Sequence, residues 1–280
     1  MATILPITNQ CNQNCLFCSA KGRKEEAGKK FFERMLNQIK DGLVISGGEP
    51  TLSPDLFWII KKAKARGLSV ELQTNGNTLY YKDLARKLIE AGVDLFNINF
   101  PSHLSLINDR VTQTQGFLGK KIEGIKNLEK EGANIRLTHV ICALNYKKME
   151  DFVVFVRKNF PKINYIQFSF IKIAGAAKKN PQILVNYQKV HPYLLKALGE
   201  CQKFKIDFLV DHIPPCYLGS FKNHHIDYQK MSRGEKPKYS LREKLKINEC
   251  SSCSWFNFCC GIRKDYLKFF GKKVKVNPVK

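Results

Sequence analysis

Long hydrophobic runs are missing from this chain. No apolar stretch approaches the roughly 20 residues that a membrane-spanning helix requires, so no membrane span is expected. The opening Met1-Ala2-Thr3-Ile4 carries no basic group ahead of its apolar segment, and a secretory signal peptide is not expected either. Acid is scarce: 24 Asp and Glu stand against 47 Lys and Arg, a formal charge of +23. A surface of that sign attracts polyanions such as RNA, phosphorylated substrates or acidic peptides. The excess fits equally well with lysines spread over solvated helix faces, because no arginine–aromatic pattern of nucleic-acid recognition accompanies it. Ten cysteines are present, but they lack the even spread of a disulfide framework. They gather in two short-spaced groups near the two ends, as metal sites in a reducing compartment do, and a cytoplasmic location is expected.

What is there reads as α/β. The 280 residues, 44% hydrophobic, suffice for one large α/β domain plus a small appendage. Apolar, β-branched runs near 3–7, 43–46, 68–74, 94–100, 134–141 and 163–170 predict strands. Segments of helical period near 29–40, 54–66, 81–91, 117–131, 146–158 and 187–204 predict helices. The second helix carries its own punctuation: Ser53 to cap it, Pro54 and Asp55 in the first turn, an apolar face of Leu56, Ile59, Ile60 and Ala63, and Gly67 to stop it. Six βα units in order imply parallel strands with right-handed crossovers. Such units build an open doubly wound sheet or a curved barrel, and period alone does not choose. Beyond residue 205 the alternation fades. Residues 206–210 allow one more strand, 219–246 read as a polar loop or substrate-facing insertion, and 272–280 as a frayed basic tail.

The chemistry concentrates in Cys11-Asn-Gln-Asn-Cys15-Leu-Phe-Cys18, directly after the first strand. Three thiolates can hold three irons of a four-iron cluster and leave the fourth without a protein ligand, whereas a closed structural site wants four ligands. A structural zinc with a distant fourth ligand is the other reading of the same residues. About 30 residues on, the second strand ends in Ser46-Gly47-Gly48-Glu49-Pro50, where glycines allow close backbone approach. The third strand ends in Gln73-Thr74-Asn75-Gly76 and the fourth in Asn97-Ile98-Asn99-Phe100-Pro101.

The C-x3-C-x2-C run resembles the cluster loop of the radical S-adenosylmethionine (radical SAM) enzymes, in which SAM chelates the open iron. Gly47, Gly48, Glu49 and Pro50 resemble that family's GGEP motif, and Thr74 and Asn75 its TNG segment. The resemblance spans roughly residues 3–175 and implies a partial (β/α)6 radical SAM barrel with its functional groups at the C-terminal strand ends. It implies a SAM-bound [4Fe–4S] cluster on Cys11, Cys15 and Cys18, and Phe17 beside the adenine. It gives Glu49 to the SAM amino group, and Thr74, Asn75, Asn99 and Asn145 as further SAM contacts. Asn99 departs from the serine common at its position. Asn145 reads equally as a helix N-cap.

The second group, Cys250-Ser-Ser-Cys253 with Cys259 and Cys260, looks like the auxiliary-cluster region of SPASM and Twitch domains. Cys216 upstream would complete a four-thiolate set with Cys250, Cys253 and Cys259, for one auxiliary [4Fe–4S] cluster; Cys260 is the alternative to Cys259, and zinc the alternative metal. Cys142 and Cys201 stand outside both groups. The expected division is residues 1–204 for the barrel and 205–280 for the auxiliary domain and basic tail. The function implied is reductive cleavage of SAM to a 5′-deoxyadenosyl radical that abstracts hydrogen from a substrate, with net oxidation. A peptide or protein with an acidic segment is the first substrate class. RNA, a nucleotide or a small metabolite is the second, and a non-catalytic Fe–S or zinc module the third. A flavodoxin or ferredoxin is the expected electron donor. No catalytic acid or base is assigned; His103, Tyr217, His224 and His225 are the unplaced candidates.

Overall fold

The structure, a computed structural model, describes residues 2–22, 28–235, 238–271 and 274–280. Seven strands form one all-parallel sheet, hydrogen-bonded in chain order: β1 (Thr3–Pro6), β2 (Gly42–Ser46), β3 (Ser69–Thr74), β4 (Leu95–Asn99), β5 (Ile135–Ile141), β6 (Tyr165–Phe170) and β7 (Asp207–Asp211). The crossovers carry α1 (Lys29–Gln38), α2 (Leu56–Lys64), α3 (Lys82–Glu90), α4 (Ser105–Thr112), α5 (Phe117–Lys130), α6 (Met149–Asn159) and α7 (Tyr187–Lys203). A doubly wound sheet reverses its strand order at a switch point. This one never does, so right-handed crossovers place the helices on one face and leave the other concave. That settles the choice left open by period: the fold is the partial barrel, with seven strands rather than six. β7 pairs with β6 from Tyr165↔Asp207 to Ser169↔Asp211, so residues 207–211 belong to the sheet and the barrel runs past residue 204.

Alternation along the strands decides which face is apolar. On β5, Ile135, Leu137, His139 and Ile141 are buried, while Arg136, Thr138 and Val140 between them are half-buried. The buried set joins Leu72, Phe96, Ile98, Ile166 and Phe168 under the helices in one continuous core. Each such side chain contributes about 1.5–3 kcal/mol on burial. The punctuation of α2 behaves as its residues require. The Ser53 hydroxyl accepts the Asp55 N–H, although the helix proper begins at Leu56. Gly67 takes a left-handed φ of 70°, and Leu68 N–H reaches back to the Ala63 carbonyl. Within the barrel, α4 is an element that the sequence did not announce. It is short, follows Pro101, and points Leu106 into solvent at 83% exposure, so its apolar period is broken.

The remainder packs on the sheet's end. α8 (Ile226–Met231), α9 (Lys238–Glu243), β8 (Lys244–Leu245), β9 (Ile262–Arg263) and α10 (Lys264–Phe270) follow β7, with β8 and β9 antiparallel. Tyr266 on α10 stacks on Tyr187 of α7, ring centroids 3.7 Å apart and 9° from parallel, and its hydroxyl accepts the Tyr187 N–H at 2.8 Å. Residues 219–246 are therefore not a plain polar loop. Lys244 is buried and paired with Asp227, itself buried. Nor are residues 274–280 frayed: Val274 and Val276 pack against the core, and Tyr217 donates its hydroxyl to the Lys275 carbonyl. Lys272 and Lys273 lie outside the described residues. Among the described residues, no helix is long and apolar enough to cross a membrane.

Candidate active site

The loop of Cys11, Cys15 and Cys18 is clamped from four sides at the C-terminal strand ends. Gly48 N–H and Glu49 N–H, after β2, donate to the carbonyls of Thr8 and Gln10, both at 2.7 Å. Asn75, after β3, donates its amide to Asn12 Oδ1 at 2.7 Å and lies 3.9 Å from Cys11 Sγ. The C-terminal carbonyls of α4, at Val111 and Thr112, take the N–H groups of Leu16 and Asn14 at 2.9 and 3.0 Å. Those carbonyls have no partner inside their own helix, so the cysteine loop satisfies them. After β6, Ala176 N–H donates to the Cys18 carbonyl at 2.9 Å. The glycines owe their identity to this clamp. A Cβ on Gly48 would lie 2.2 Å from the Gln10 carbonyl oxygen, one on Gly47 2.4 Å from that of Thr8, and one on Gly175 2.3 Å from that of Cys18. The missing side chains of Gly47 and Gly48 make room for the cysteine loop itself rather than only for a ligand.

Electrostatics around the loop is set by burial. Desolvation raises the Cys11 thiol and pushes Cys15 up to about 12, with Lys121 opposing it. Lys121, on α5, is fully buried with no hydrogen-bond partner on its Nζ among the described residues, and burial pulls it down to about 8. Sequence reasoning missed it, because one lysine among so many carries no local mark. Thiols held in the neutral form give up their protons when a metal replaces them.

The residues expected at SAM separate into two sets. Phe17 is half-buried against the core edge, and Asn99 keeps a buried Oδ1 with no partner, an acceptor still open to a ligand. The others are engaged by the chain. Glu49 is fully buried; its Oε1 accepts from Thr51 Oγ1, Thr51 N and Thr74 Oγ1, and its Oε2 from Asn75 N. Burial raises its pKa while these bonds oppose the rise. It ties β2 to β3 first, leaving only Oε2 with spare capacity for an ammonium group. Thr74 also accepts from Gly76 N, Asn75 Oδ1 from Asn77 N, and buried Pro50 begins a 3-10 turn. Asn145 is held by the chain as well. Its amide donates to the Pro101 and Val140 carbonyls and accepts from Cys142 N, all at 2.8 Å, so both its donors are spent closing β5 against β4.

The unplaced candidates are mostly packing residues. His224 stacks on Phe208 at 4.0 Å, His225 is buried and accepts the Asp227 N–H, and Tyr217 is buried beside Cys216. His103 has an unpartnered Nδ1 against Phe155, and burial lowers its pKa. Cys142 and Cys201 are buried in the core.

The concave face is polar, which alternation alone did not reveal. Glu71 accepts from Gln73, Asn97 and Arg136; Arg136 also donates to the Tyr165 hydroxyl, and Thr138 to Asn97 Oδ1. Such a lumen offers hydrogen-bond donors and acceptors to a substrate instead of the branched apolar filling of a closed barrel.

The second cysteine group is assembled by tertiary structure. Cys216, Cys250, Cys253 and Cys259 line one hollow with about 420 Å³ of atom-free space, part of it open to solvent. Cys260 does not line it; its Sγ faces the Met231 sulfur at 3.9 Å. Backbone N–H groups face three of the four lining thiols: Gly261 to Cys259 at 3.2 Å, Val279 to Cys253 at 3.3 Å, and Asn277 to Cys216. Burial pushes Cys216 up to about 12 and raises Cys259. All ten cysteines are free thiols. Among the described residues, no three His, Cys, Asp or Glu side chains converge as a single-ion site, at either group. Three thiols on a clamped loop fit a cluster left one protein donor short, and four around one hollow fit a closed one.

An all-parallel, one-sided α/β partial barrel with a three-cysteine loop at its C-terminal mouth defines the class: a (β/α) partial barrel whose mouth carries three thiols, one short of a closed four-ligand set. The sequence profile of the Radical SAM superfamily matches residues 5–158, and the chain belongs to that superfamily. Enzymes of that superfamily use SAM and a [4Fe–4S] cluster. The chain is similar to a probable GTP 3′,8-cyclase of Sulfolobus acidocaldarius, 32% identical over 173 residues, 58% of this chain and 54% of that protein. It is also similar to the Fe-coproporphyrin III synthase of Methanosarcina barkeri, 26% identical over 62% of this chain and 44% of the relative. The matched stretch spans about half the length of these relatives. Among solved structures, Streptococcus suis SuiB bound to S-adenosylmethionine shares the fold with a TM-score of 0.68 at 16% identity, over 96% of this chain and 74% of that one. Native anSMEcpe with bound AdoMet gives 0.68 at 14%, over 94% and 89%.

Proposed function

We propose that this radical SAM enzyme oxidises a peptide substrate. In this reading Cys11, Cys15 and Cys18 hold the cluster that takes SAM, and Cys216, Cys250, Cys253 and Cys259 hold one auxiliary [4Fe–4S] cluster. The observation that carries it is the difference in donor number: three thiols on the first site, four around the second. Four thiols lining one hollow suit a closed cluster or a zinc ion, and the three-cysteine loop in the same chain favours the cluster. When bound, SAM and its cluster supply a 5′-deoxyadenosyl radical able to take a hydrogen atom. The chain's own residues clamp the loop, present Phe17 and the open Asn99 acceptor beside it, and offer a polar concave face to the substrate. An auxiliary cluster with four protein ligands has no position for a substrate and serves to receive or relay an electron, from or to a flavodoxin or ferredoxin.

A peptide is favoured because the fold likeness covers 96% of this chain in SuiB bound to S-adenosylmethionine and 94% in anSMEcpe, and both are also solved with peptides, matched over 78% and 94% of this chain. The +23 charge suits an acidic leader segment. A nucleotide is the second reading, favoured by the GTP 3′,8-cyclases among the relatives, though that match leaves more than a third of the chain uncovered. Cysteine clustering keeps the protein in a reducing compartment, and we place it in the cytoplasm.

The test is anaerobic reconstitution, reduction and measurement of 5′-deoxyadenosine. Cys15→Ala abolishes SAM cleavage; Cys253→Ala lowers iron content and retains cleavage without substrate. Equal loss in both removes the separate role of the second site. Transfer of deuterium from a labelled acidic peptide into 5′-deoxyadenosine supports the first substrate class, and transfer from labelled GTP replaces it with the second.

A further inference from the structure

Residues 274–280 do more than complete the fold. Val276, Pro278 and Val279 form one wall of the hollow that the four cysteines line. Two backbone N–H groups of the same segment face two of its thiols, Val279 to Cys253 at 3.3 Å and Asn277 to Cys216. The segment is gripped at both ends. Ser254 donates its N–H to the Val279 carbonyl at 2.8 Å and its hydroxyl to the same oxygen at 3.0 Å, while Tyr217 holds the Lys275 carbonyl. Tyr217 and Ser254 each sit next to one of the cysteines concerned, so the grip fixes the N–H groups against the sulfurs.

We propose that residues 274–280 are a strap built into the second cysteine site, whose N–H groups at Asn277 and Val279 set the reduction potential of the group held there. The proposal rests on the auxiliary-cluster reading above. One-electron reduction adds a negative charge that spreads onto the coordinating sulfurs. A backbone N–H pointed at a thiolate stabilises that charge, favours the reduced form and raises the potential. Val276, Pro278 and Val279 seat the segment along the wall of the hollow, so that its N–H groups stay against the sulfurs. The strap thereby decides how readily the site accepts an electron from a substrate.

The full chain separates this from a packing role. Val279→Pro removes the N–H and keeps an apolar side chain; Val279→Ala shortens the side chain and keeps the N–H. Potentiometric titration of both reconstituted variants reads the two clusters separately, with the first site as internal control. The expected result is a fall in the second potential for V279P, roughly threefold or more in the oxidised-to-reduced ratio. That is about 28 mV at the 59 mV per tenfold of a one-electron couple. The first potential stays fixed and V279A behaves as wild type. An unshifted V279P, or equal shifts in V279P and V279A, overturns the proposal while the auxiliary-cluster reading stands. If V279P fails to hold the second cluster, Ser254→Ala loosens the grip more gently. A smaller shift of the same sign then supports the proposal, and none overturns it. Wild-type protein that loads one cluster and shows one redox transition overturns the auxiliary-cluster reading and the strap with it.

Discussion

Glu71 and Arg136 face each other on the concave side of the sheet with side chains 17% and 12% exposed. Glu71 is the acceptor on which three neighbouring side chains converge, so its charge organises the lumen. Removing one partner of a pair this buried leaves the other desolvated and unpaired, at about 3–5 kcal/mol. Glu71→Leu is expected to lower the thermal midpoint of the reduced, metal-free protein markedly, and Glu71→Leu with Arg136→Met to recover part of the loss. His139 gives a pH test. Burial lowers its pKa from the ordinary value of 6.5 to about 3, with only the Phe100 carbonyl as partner. The folded protein keeps it neutral while the unfolded chain protonates below about pH 6.5, so folding stability falls with pH from there down to about 3. The slope from this one group is about 1.4 kcal/mol per pH unit. His225, lowered to about 4 by the same cause, adds to the fall until that pH. Thermal midpoints of His139→Gln against pH should therefore decline less steeply than those of the wild type between pH 6 and 4; parallel curves would refute the assignment.

Among elements, the turns after β2 and β6 hold the first cysteine loop in place. Gly48→Ala forces a Cβ to within 2.2 Å of the Gln10 carbonyl, and Gly175→Ala forces one to 2.3 Å from that of Cys18, at a φ of 54° that alanine adopts reluctantly. Both obstacles are backbone, so the loop must move. Each variant is expected to keep its far-ultraviolet circular dichroism, because the sheet lies below the turns, and to lose most of the iron of the first site on reconstitution. Full iron loading in either would show that the clamp is dispensable. The second site depends on elements in a different way. β8 and β9 pair through only Lys244↔Arg263 and Leu245↔Ile262, and they hold the turn of Gly261 against Leu245. That short pairing carries Cys259 to the hollow and turns Cys260 away from it.

At the scale of the whole molecule, the stacked pair Tyr187–Tyr266 joins the last helix to the barrel, with Tyr266 2% exposed. Deleting a buried aromatic of this size costs about 3–5 kcal/mol. Tyr266→Ala is expected to lower the midpoint and to release iron from the second site before the first, as chelation by a ferrous indicator would record; simultaneous release would mean that the two ends share one cooperative unit. The net charge acts at this scale too. Affinity for an acidic peptide should fall steeply as salt rises, because attraction between exposed charges is screened beyond about 10 Å at 0.1 M.

The sequence by itself determined most of the barrel's elements and the candidate donors of the first site. Strand and helix periods are local, and so are the spacing of Cys11, Cys15 and Cys18 and the turn after β2; a few neighbouring residues contain the whole signal. It also made the polar positions of the concave face, but not their meeting, since Glu71 and Arg136 lie 65 residues apart. What only the tertiary structure decided is where shared polar groups go. Glu49 and Asn145 read as ligand contacts in one dimension, yet Glu49 is engaged mainly by its neighbours and Asn145 is spent on strand ends. Lys272–Lys280 read as a tail, yet its described part walls the second site. Side-chain type fixes what a group can bond; which partner reaches a buried donor or acceptor depends on the packing of strands distant in sequence, because most buried polar groups must find their partners within the protein.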